Sequence, residues 1–236
     1  GPAGADMMTD AAVGNESLAI VHMTNDYGSG LANAVKDAWE LNGKLCGAGM
    51  QGYEEAATDF SAMVTAIVND ETCEAVYLSS YLTDGAKILE ELDTQGFGGA
   101  IFGGDGAAGV GLYEALTDNT LAEGMTVSAP RAGSSYGDFE ARYDANAAEV
   151  GSIKTYVLTA YDATMIIGKA ATMSGEIDAN IKTTGTGYEG ASGIIDFLDN
   201  GDIGGNGYDI CSYGGTDETY TCGKYWTAVG KVQTSA

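Results

Sequence analysis

Basic residues are scarce in this chain: 10 Lys and Arg stand against 34 Asp and Glu among 236 residues, a formal net charge of -24. Such a charge repels phosphate backbones and anionic lipid surfaces, which argues against nucleic acid as a partner. The acids are scattered, as on a solvated surface suited to salty surroundings. Histidine occurs once, as His22 inside the apolar run SLAIVHM, where a packed core side chain is expected. With no G-x-S-x-G elbow either, a Ser-His-Asp triad lacks its materials and no catalytic residue is assigned. Proline occurs only 2 times against 36 glycines, a balance that suggests tight strand-to-helix turns and not a disordered or collagen-like chain. No apolar run approaches the roughly 20 residues that span a bilayer, and no charged-then-apolar leader opens the chain. The first residues, Gly1 to Met8, read as the entry to an amphipathic helix and not as a natural start, so upstream sequence is expected.

Cysteine is sparse too, with Cys46, Cys73, Cys211 and Cys222 forming no C-x-x-C pair. One histidine cannot complete a zinc site with them, so no metal is expected. An even count permits two bridges. Cys211 and Cys222 flank a Gly214-Gly215 turn in an expected hairpin, which brings cross-strand partners within bridging distance. Geometry offers no comparable argument for Cys46 with Cys73, the other permitted pair. Either bridge implies an oxidising compartment. The stretch Asp196 to Asp209, with Asn200-Gly201-Asp202, is rich in oxygen ligands but lacks the EF-hand spacing and its closing Glu, and reads as a turn.

What is present is a regular alternation. Ser17 to Met23 is a continuous apolar run of the kind buried on both faces of a parallel sheet. A helix follows with Ser29 as its expected N-cap and Leu31, Val35, Ala38 and Trp39 on one stripe, ended by Asn42-Gly43. Strands near Lys44 to Gly49, Ala75 to Ser79, Ala100 to Phe102 and Met125 to Ala129 continue the beat, separated by helices beginning near Asp59, Asp84 and Val110. The pattern predicts an α/β fold with a doubly wound, five-stranded parallel sheet. Beyond Pro130 come two helices, Phe139 to Ala148 and Tyr156 to Met173, and from Gly193 short alternating runs that predict antiparallel strands ending in a hairpin. The expected divisions are 1–130, a parallel α/β lobe; 131–192, extra helices; and 193–236, returning strands.

Gly104-Asp105-Gly106-Ala107-Ala108-Gly109 matches G-x-G-x-x-G after a strand. A nucleotide-binding enzyme is the reading this motif offers, but a carboxylate inside the loop would repel phosphates, and the position about 20 residues on holds no acid for a ribose. No cofactor is expected. In an open doubly wound sheet, ligands sit beyond the carboxyl ends of the strands. Those ends here are Asn25-Asp26-Tyr27-Gly28-Ser29-Gly30, Ser79-Ser80-Tyr81 and Gly103-Gly104-Asp105-Gly106. Helix N-termini at that edge favour an anionic ligand group, and Asp105 attracts an ammonium, so Tyr27, Ser80, Tyr81 and Asp105 together suit an amino acid zwitterion.

The phrases SLAIVHMTNDYGSGLANAVKDAWE, ATDFSAMVTAI, EAVYLSSYLTDGAKILEEL, FGGDG, YVLTAYDATMIIGKA and SGIIDFLDNGD, in this order and spacing, resemble periplasmic binding proteins of the Leu/Ile/Val family across almost the whole chain. In that family two sheet lobes close around a small solute, which an ABC permease then takes up. The resemblance implies an extracytoplasmic binder and not an enzyme. It implies that Tyr27 of NDYG and Tyr81 of SSYL contact the ligand, that Asp105 of GGDG holds its ammonium, and that Tyr156, heading YVLTAYDA, reaches it from the other lobe. It also implies that an entire first lobe precedes the opening helix in family members. Without that lobe or a homodimer partner, the helices of 131–192 are expected to expose Tyr156, Val157, Tyr161 and Ile166. A ligand-sensing receptor ectodomain of the same fold is the alternative.

Overall fold

The computed structural model describes residues 1–14, 17–131, 136–146, 156–199, 201, 203, 207–227 and 229–234. Two compact units divide the chain: Gly1–Ala129 with Tyr208–Ala236, and Pro130–Gly207.

The first unit runs α1 (Pro2–Asp10), β1 (Leu18–Met23), α2 (Asp26–Trp39), β2 (Leu45–Tyr53), α3 (Ser61–Val68), β3 (Ala75–Ser79), α4 (Leu82–Thr94), β4 (Ala100–Gly103), a 3-10 turn at Asp105–Ala107, α5 (Gly111–Ala115) and β5 (Thr126–Pro130). After the second unit the chain returns as β8 (Tyr208–Tyr213), β9 (Tyr220–Thr227) and β10 (Lys231–Thr234). All of these strands form one 8-stranded sheet in the order β10-β9-β8-β5-β4-β3-β1-β2. The pairings from β2 through β5 are parallel, and β8, β9 and β10 pair antiparallel. The expected parallel sheet is therefore present, and the tail strands extend it instead of standing apart. Backbone bonds from Tyr213 N to Met125 O (3.0 Å) and from Gly124 N to Tyr213 O (2.9 Å) set the end of β8 beside the start of β5.

Successive strand residues point to opposite faces. Ala19, Val21 and Met23 of β1, with Val76 and Leu78 of β3, pack against Val64, Ile67, Ile88, Leu89 and Leu112 from α3, α4 and α5. Leu18 and Ile20, with Ala75 and Tyr77, pack against Met7, Met8, Val35 and Trp39 of α1 and α2. A strand covered on both sides needs apolar residues at every position, which is why β1 reads as an unbroken run. Its exception is His22, expected in the core but only half-buried at the carboxyl end of the strand.

Helix starts follow local capping. Asn25 Oδ1 accepts the Gly28 N–H at 2.8 Å, so α2 begins at Asp26 and Asn25, not Ser29, is its cap. An Asx side chain three residues before an otherwise unpaired amide captures it before Ser29 can compete. The tail strands are tied to α1: Trp226 Nε1 donates to Asp6 at 2.7 Å, and Lys224 Nζ reaches Asp10 at 2.6 Å.

Both permitted disulfides form. Cys211–Cys222 crosses β8 and β9 with Cα atoms 3.9 Å apart, and Cys46–Cys73 links β2 to the loop before β3 with Cα atoms 5.2 Å apart. The latter bond consumes the two sulfurs that cluster with Asp70, whose oxygens in turn accept the Ala48 and Thr72 amides.

The second unit holds α6 (Tyr136–Ala145), α7 (Val157–Ala170), α8 (Ile177–Gly185) and a hairpin of β6 (Tyr188–Gly190) and β7 (Gly193–Ile195). Phe139 of α6 packs on Tyr161 of α7 with centroids 5.0 Å apart. Asp162 of α7, fully buried, accepts the Ala191 and Ser192 amides (2.9 and 2.7 Å) and the Ser192 hydroxyl (2.6 Å), pinning the hairpin turn to the helix. Of the four residues expected to be exposed, Ile166 is buried at 2% and Val157 and Tyr161 are half-buried, whereas Tyr156 is 46% exposed. Gly201 lies in a bend, and Asn200 and Asp202 of the acidic turn fall outside the described residues. Among the described residues no helix is long and apolar enough to cross a membrane.

Candidate functional site

At the carboxyl edge of the parallel sheet, the segments after β1, β3 and β4 converge. Tyr27, in the first turn of α2, and Tyr81, the N-cap of α4, stack with ring centroids 5.0 Å apart and planes 19° from parallel. The Tyr27 hydroxyl donates to Asp105 Oδ1 at 2.9 Å and accepts the Gly106 N–H at 2.8 Å. One phenol thus fixes both the carboxylate and the loop that carries it. A charge-assisted bond of this kind contributes about 1.5–3 kcal/mol.

The approach requires glycine. A Cβ on Gly106 would lie 2.5 Å from the Tyr27 hydroxyl and 2.6 Å from the Ser80 carbonyl oxygen, and one on Gly104 would lie 2.5 Å from Leu31 Cδ2. At the facing turn, the Ser79 hydroxyl donates to Gly28 O at 2.9 Å, and a Cβ on Gly28 would meet Met23 O, so α2 starts in direct contact with the end of β1. These contacts hold the aromatic pair on rigid elements.

Asp105 imposes its charge on its neighbours. Burial, and then the negative charge of Asp105, raise the phenols of Tyr77 and Tyr208 above the ordinary tyrosine range. Both stay protonated at any physiological pH. A half-buried carboxylate beside two stacked rings, one of them 43% exposed at Tyr81, can receive a cation and flank an apolar group.

The structure therefore gathers Tyr27, Tyr81 and Asp105 at one edge. Ser80 lies in the same turn but is fully buried, and a Cβ on Gly85 would sit 3.2 Å from its Oγ, so its hydroxyl faces the first turn of α4. Tyr156 belongs to the second unit, where it caps the N-terminus of α7 with φ at 63°, a left-handed backbone uncommon for a bulky residue. Tyr77 and Tyr208 escaped sequence reasoning. Tyr77 could have been found from strand alternation, whereas Tyr208 needed the knowledge that β8 joins this sheet beside β5.

The Gly104 to Gly109 loop offers little to a phosphate. Gly106 N–H is taken by Tyr27, Gly109 N–H by the Tyr213 hydroxyl at 2.8 Å, and those of Gly104, Ala107 and Ala108 by carbonyls. Anion-binding loops of that pattern work by turning backbone N–H groups toward the ligand. Here they face tyrosine hydroxyls and backbone carbonyls, and α5 is only 5 residues long.

A mostly parallel α/β sheet with a polar cluster beyond the carboxyl ends of its parallel strands has the arrangement in which open α/β folds place small ligands. The profile of the periplasmic binding protein family matches residues 2–207, and the chain belongs to that family. The Leu/Ile/Val-binding protein homolog 3 of Brucella melitensis is 25% identical over 214 residues, 87% of this chain and 57% of that protein. The Leu/Ile/Val-binding protein of Escherichia coli K12 is 31% identical over 116 residues, 49% of this chain and 30% of that protein. A leucine binding protein of Thermotoga maritima superposes with a TM-score of 0.75 at 21% identity, over 100% of this chain and 64% of that one. A branched-chain amino acid transporter substrate binding protein of Streptococcus pneumoniae, solved with isoleucine, gives a TM-score of 0.69 at 19% identity, over 92% of this chain and 60% of that one. The chain thus spans less than two thirds of the length of these relatives.

Proposed function

We propose that this chain forms one lobe and the trailing segments of an extracytoplasmic solute receptor that captures a small amino acid, or a related amine or amide, for uptake through an ABC permease. The observation that carries this reading is the carboxylate of Asp105, held in place by Tyr27 at the sheet edge where Tyr27 and Tyr81 stack. Asp105 receives the ligand ammonium, and the two rings cover its apolar part. The names of the relatives support an amino acid as the solute class, and the two disulfides suit an oxidising, extracytoplasmic compartment. The wall that holds the ligand carboxylate is supplied by a further lobe or a second copy of the chain. Work of this kind is binding, a reading that the names of the relatives support.

Calorimetry of the chain against leucine, isoleucine, valine and their amides, compared with the desamino acids, tests this reading. Loss of an uncompensated ammonium–carboxylate contact costs about 2–4 kcal/mol, so Asp105→Ala is expected to weaken amine ligands ~30-fold or more. Unchanged affinity for every amine ligand in Asp105→Ala overturns the assignment.

A further inference from the structure

The loop that carries Asp105 is held from a second side, by a residue outside the ligand edge. Tyr213 ends β8 in the tail hairpin and is 3% exposed. Its hydroxyl donates to Ala107 O at 2.7 Å, with Gly109 O 3.0 Å away as the alternative acceptor, and accepts the Gly109 N–H at 2.8 Å. Tyr27 does the same at the other end of the loop, donating to Asp105 Oδ1 and accepting the Gly106 N–H. Between these two phenols the chain makes a single 3-10 turn, closed by bonds from Ala107 N to Gly104 O (3.2 Å) and from Ala108 N to Asp105 O (3.1 Å). One such turn has little stability of its own, because its bonds are poorly aligned and too few to offset the backbone they fix. The chain then leaves through Gly109 at φ 118°, a backbone suited to glycine that does not continue the turn. The conformation of the loop is therefore imposed from its two ends. Tyr213 is itself firmly anchored: its backbone bonds to Met125 and Gly124 at the start of β5, and its ring lies 5.4 Å from that of Tyr113 and 4.9 Å from that of Tyr220. Tyr113, in α5 just beyond the loop, returns the contact with its hydroxyl 2.8 Å from both Gly214 O and Thr219 O of the hairpin.

We propose that Tyr213 is a positioning residue for the Asp105 carboxylate, so that the tail hairpin, and not the parallel strands alone, sets where a ligand ammonium is received. Asp105 heads the turn, and Tyr213 holds the carbonyl of Ala107, its last residue. With that end released, the turn is free to pivot about the Tyr27 bond, and the carboxylate shifts relative to the Tyr27 and Tyr81 rings. A charge-assisted hydrogen bond weakens steeply with distance and misalignment, so a small shift at Asp105 is read as a lost preference for ligands that carry an amine. The consequence for ligand preference rests on the function proposed above; the hold on the loop does not.

Tyr213→Phe in the whole chain tests this, since it keeps the ring and its neighbours and removes the hydroxyl alone. Amide hydrogen exchange reads the loop without any ligand, with Val21 of the central strand β1 as the reference for global opening. Gly109 loses its partner directly and exchanges faster whatever the role of Tyr213. The informative amide is that of Gly106, whose own partner, Tyr27, is untouched: it is expected to exchange about 3-fold or more faster relative to Val21. Tyr220→Phe, an equal deletion in the same aromatic cluster, is expected to leave Gly106 unchanged. A Gly106 rate that stays with Val21 in Tyr213→Phe, or that rises as much in Tyr220→Phe, overturns the proposal. Calorimetry then compares L-leucine with 4-methylpentanoate, the same acid without its amine. Tyr213→Phe is expected to weaken L-leucine about 3- to 10-fold and 4-methylpentanoate by less than about 2-fold, the range of couplings carried through one positioning group. Equal losses for the two ligands overturn the proposal as well. Failure of the wild type to bind L-leucine counts against the proposed ligand, and the exchange rates then decide by themselves whether Tyr213 holds the turn.

Discussion

Removing the Asp162 carboxylate should unfold the second unit while leaving the first intact. In Asp162→Ala the buried amide of Ala191 and the part-buried amide of Ser192 lose their acceptor, at a cost of up to about 1–3 kcal/mol each. The Ser192 hydroxyl can turn to another partner, and the mutant no longer buries a charge, so the net cost is placed at about 3–5 kcal/mol. A unit of this size has a total stability of roughly 4–12 kcal/mol, of which that is a large part. Asp162→Asn keeps one acceptor but turns an NH2 toward a backbone donor, and should fall about halfway. The two tryptophans, Trp39 and Trp226, both lie in the first unit, so their fluorescence reports that unit alone while far-UV circular dichroism reports both. Urea titration of Asp162→Ala should move part of the dichroism transition down by about 2 M or more, given a slope near 1–3 kcal/mol/M, with the fluorescence midpoint unmoved. A dichroism midpoint within 0.3 M of wild type, or an equal shift in both signals, refutes the assignment of Asp162 as the internal pin of that unit.

Three further perturbations have defined outcomes. Gly106→Ala places a methyl group within 2.6 Å of the Ser80 carbonyl and against the Tyr27 hydroxyl, so it should break the Tyr27–Asp105 clamp at a cost of about 2–3 kcal/mol, read as a drop in melting temperature of about 4–12 °C. Replacing both cysteines of one bridge by serine should cost more for Cys46–Cys73, which closes 27 residues, than for Cys211–Cys222, which closes 11: about 3.6 against 2.8 kcal/mol by loop entropy, checked by chemical denaturation. Acid should act through Asp59, Asp70 and Asp118, whose carboxyls are held below the ordinary 3.8 by bonds from Ser61, Thr72 and Thr120. Their contribution is present above pH 3.8 and is lost as the pH falls through their lowered values, whereas Asp84, raised by burial, favours the folded state earlier, as the pH falls from its raised value to 3.8. Urea midpoints measured from pH 5 to pH 2 should therefore fall below pH 3.8 and fall further in Asp84→Asn.

How much of this was legible beforehand depended on whether a residue's role was set by its own strand or by a distant one. The run from Leu18 to Met23 announced its burial on two faces because every side chain had to be apolar. The convergence of Tyr27, Tyr81 and Asp105 followed from the rule that parallel strands present their carboxyl ends together. Asn25 displaced Ser29 as a cap because two good capping residues stood four apart and sequence does not say which amide is captured first. The burial of Ile166 was not legible, since a single helix shows its apolar stripe but not the neighbours that cover it. Nor was the enclosure of the Ser80 hydroxyl, which is decided by the turn of α4 above it.

The antiparallel pairing of β8 with β5 has a consequence for how the molecule is assembled. The end of β5 and the beginning of β8 lie side by side on neighbouring strands, so the chain departs from the sheet and re-enters it through one doorway. Everything between is a cassette. Excising 131–207 and joining the two strands by a short Gly/Ser linker would leave the strand pairings of the large sheet, both disulfides and both tryptophans where they are, and the Tyr27–Asp105 clamp with them. A cassette of this kind can be exchanged between relatives without cutting the lobe that holds Asp105, which makes the doorway a natural seam for building chimaeras within the family.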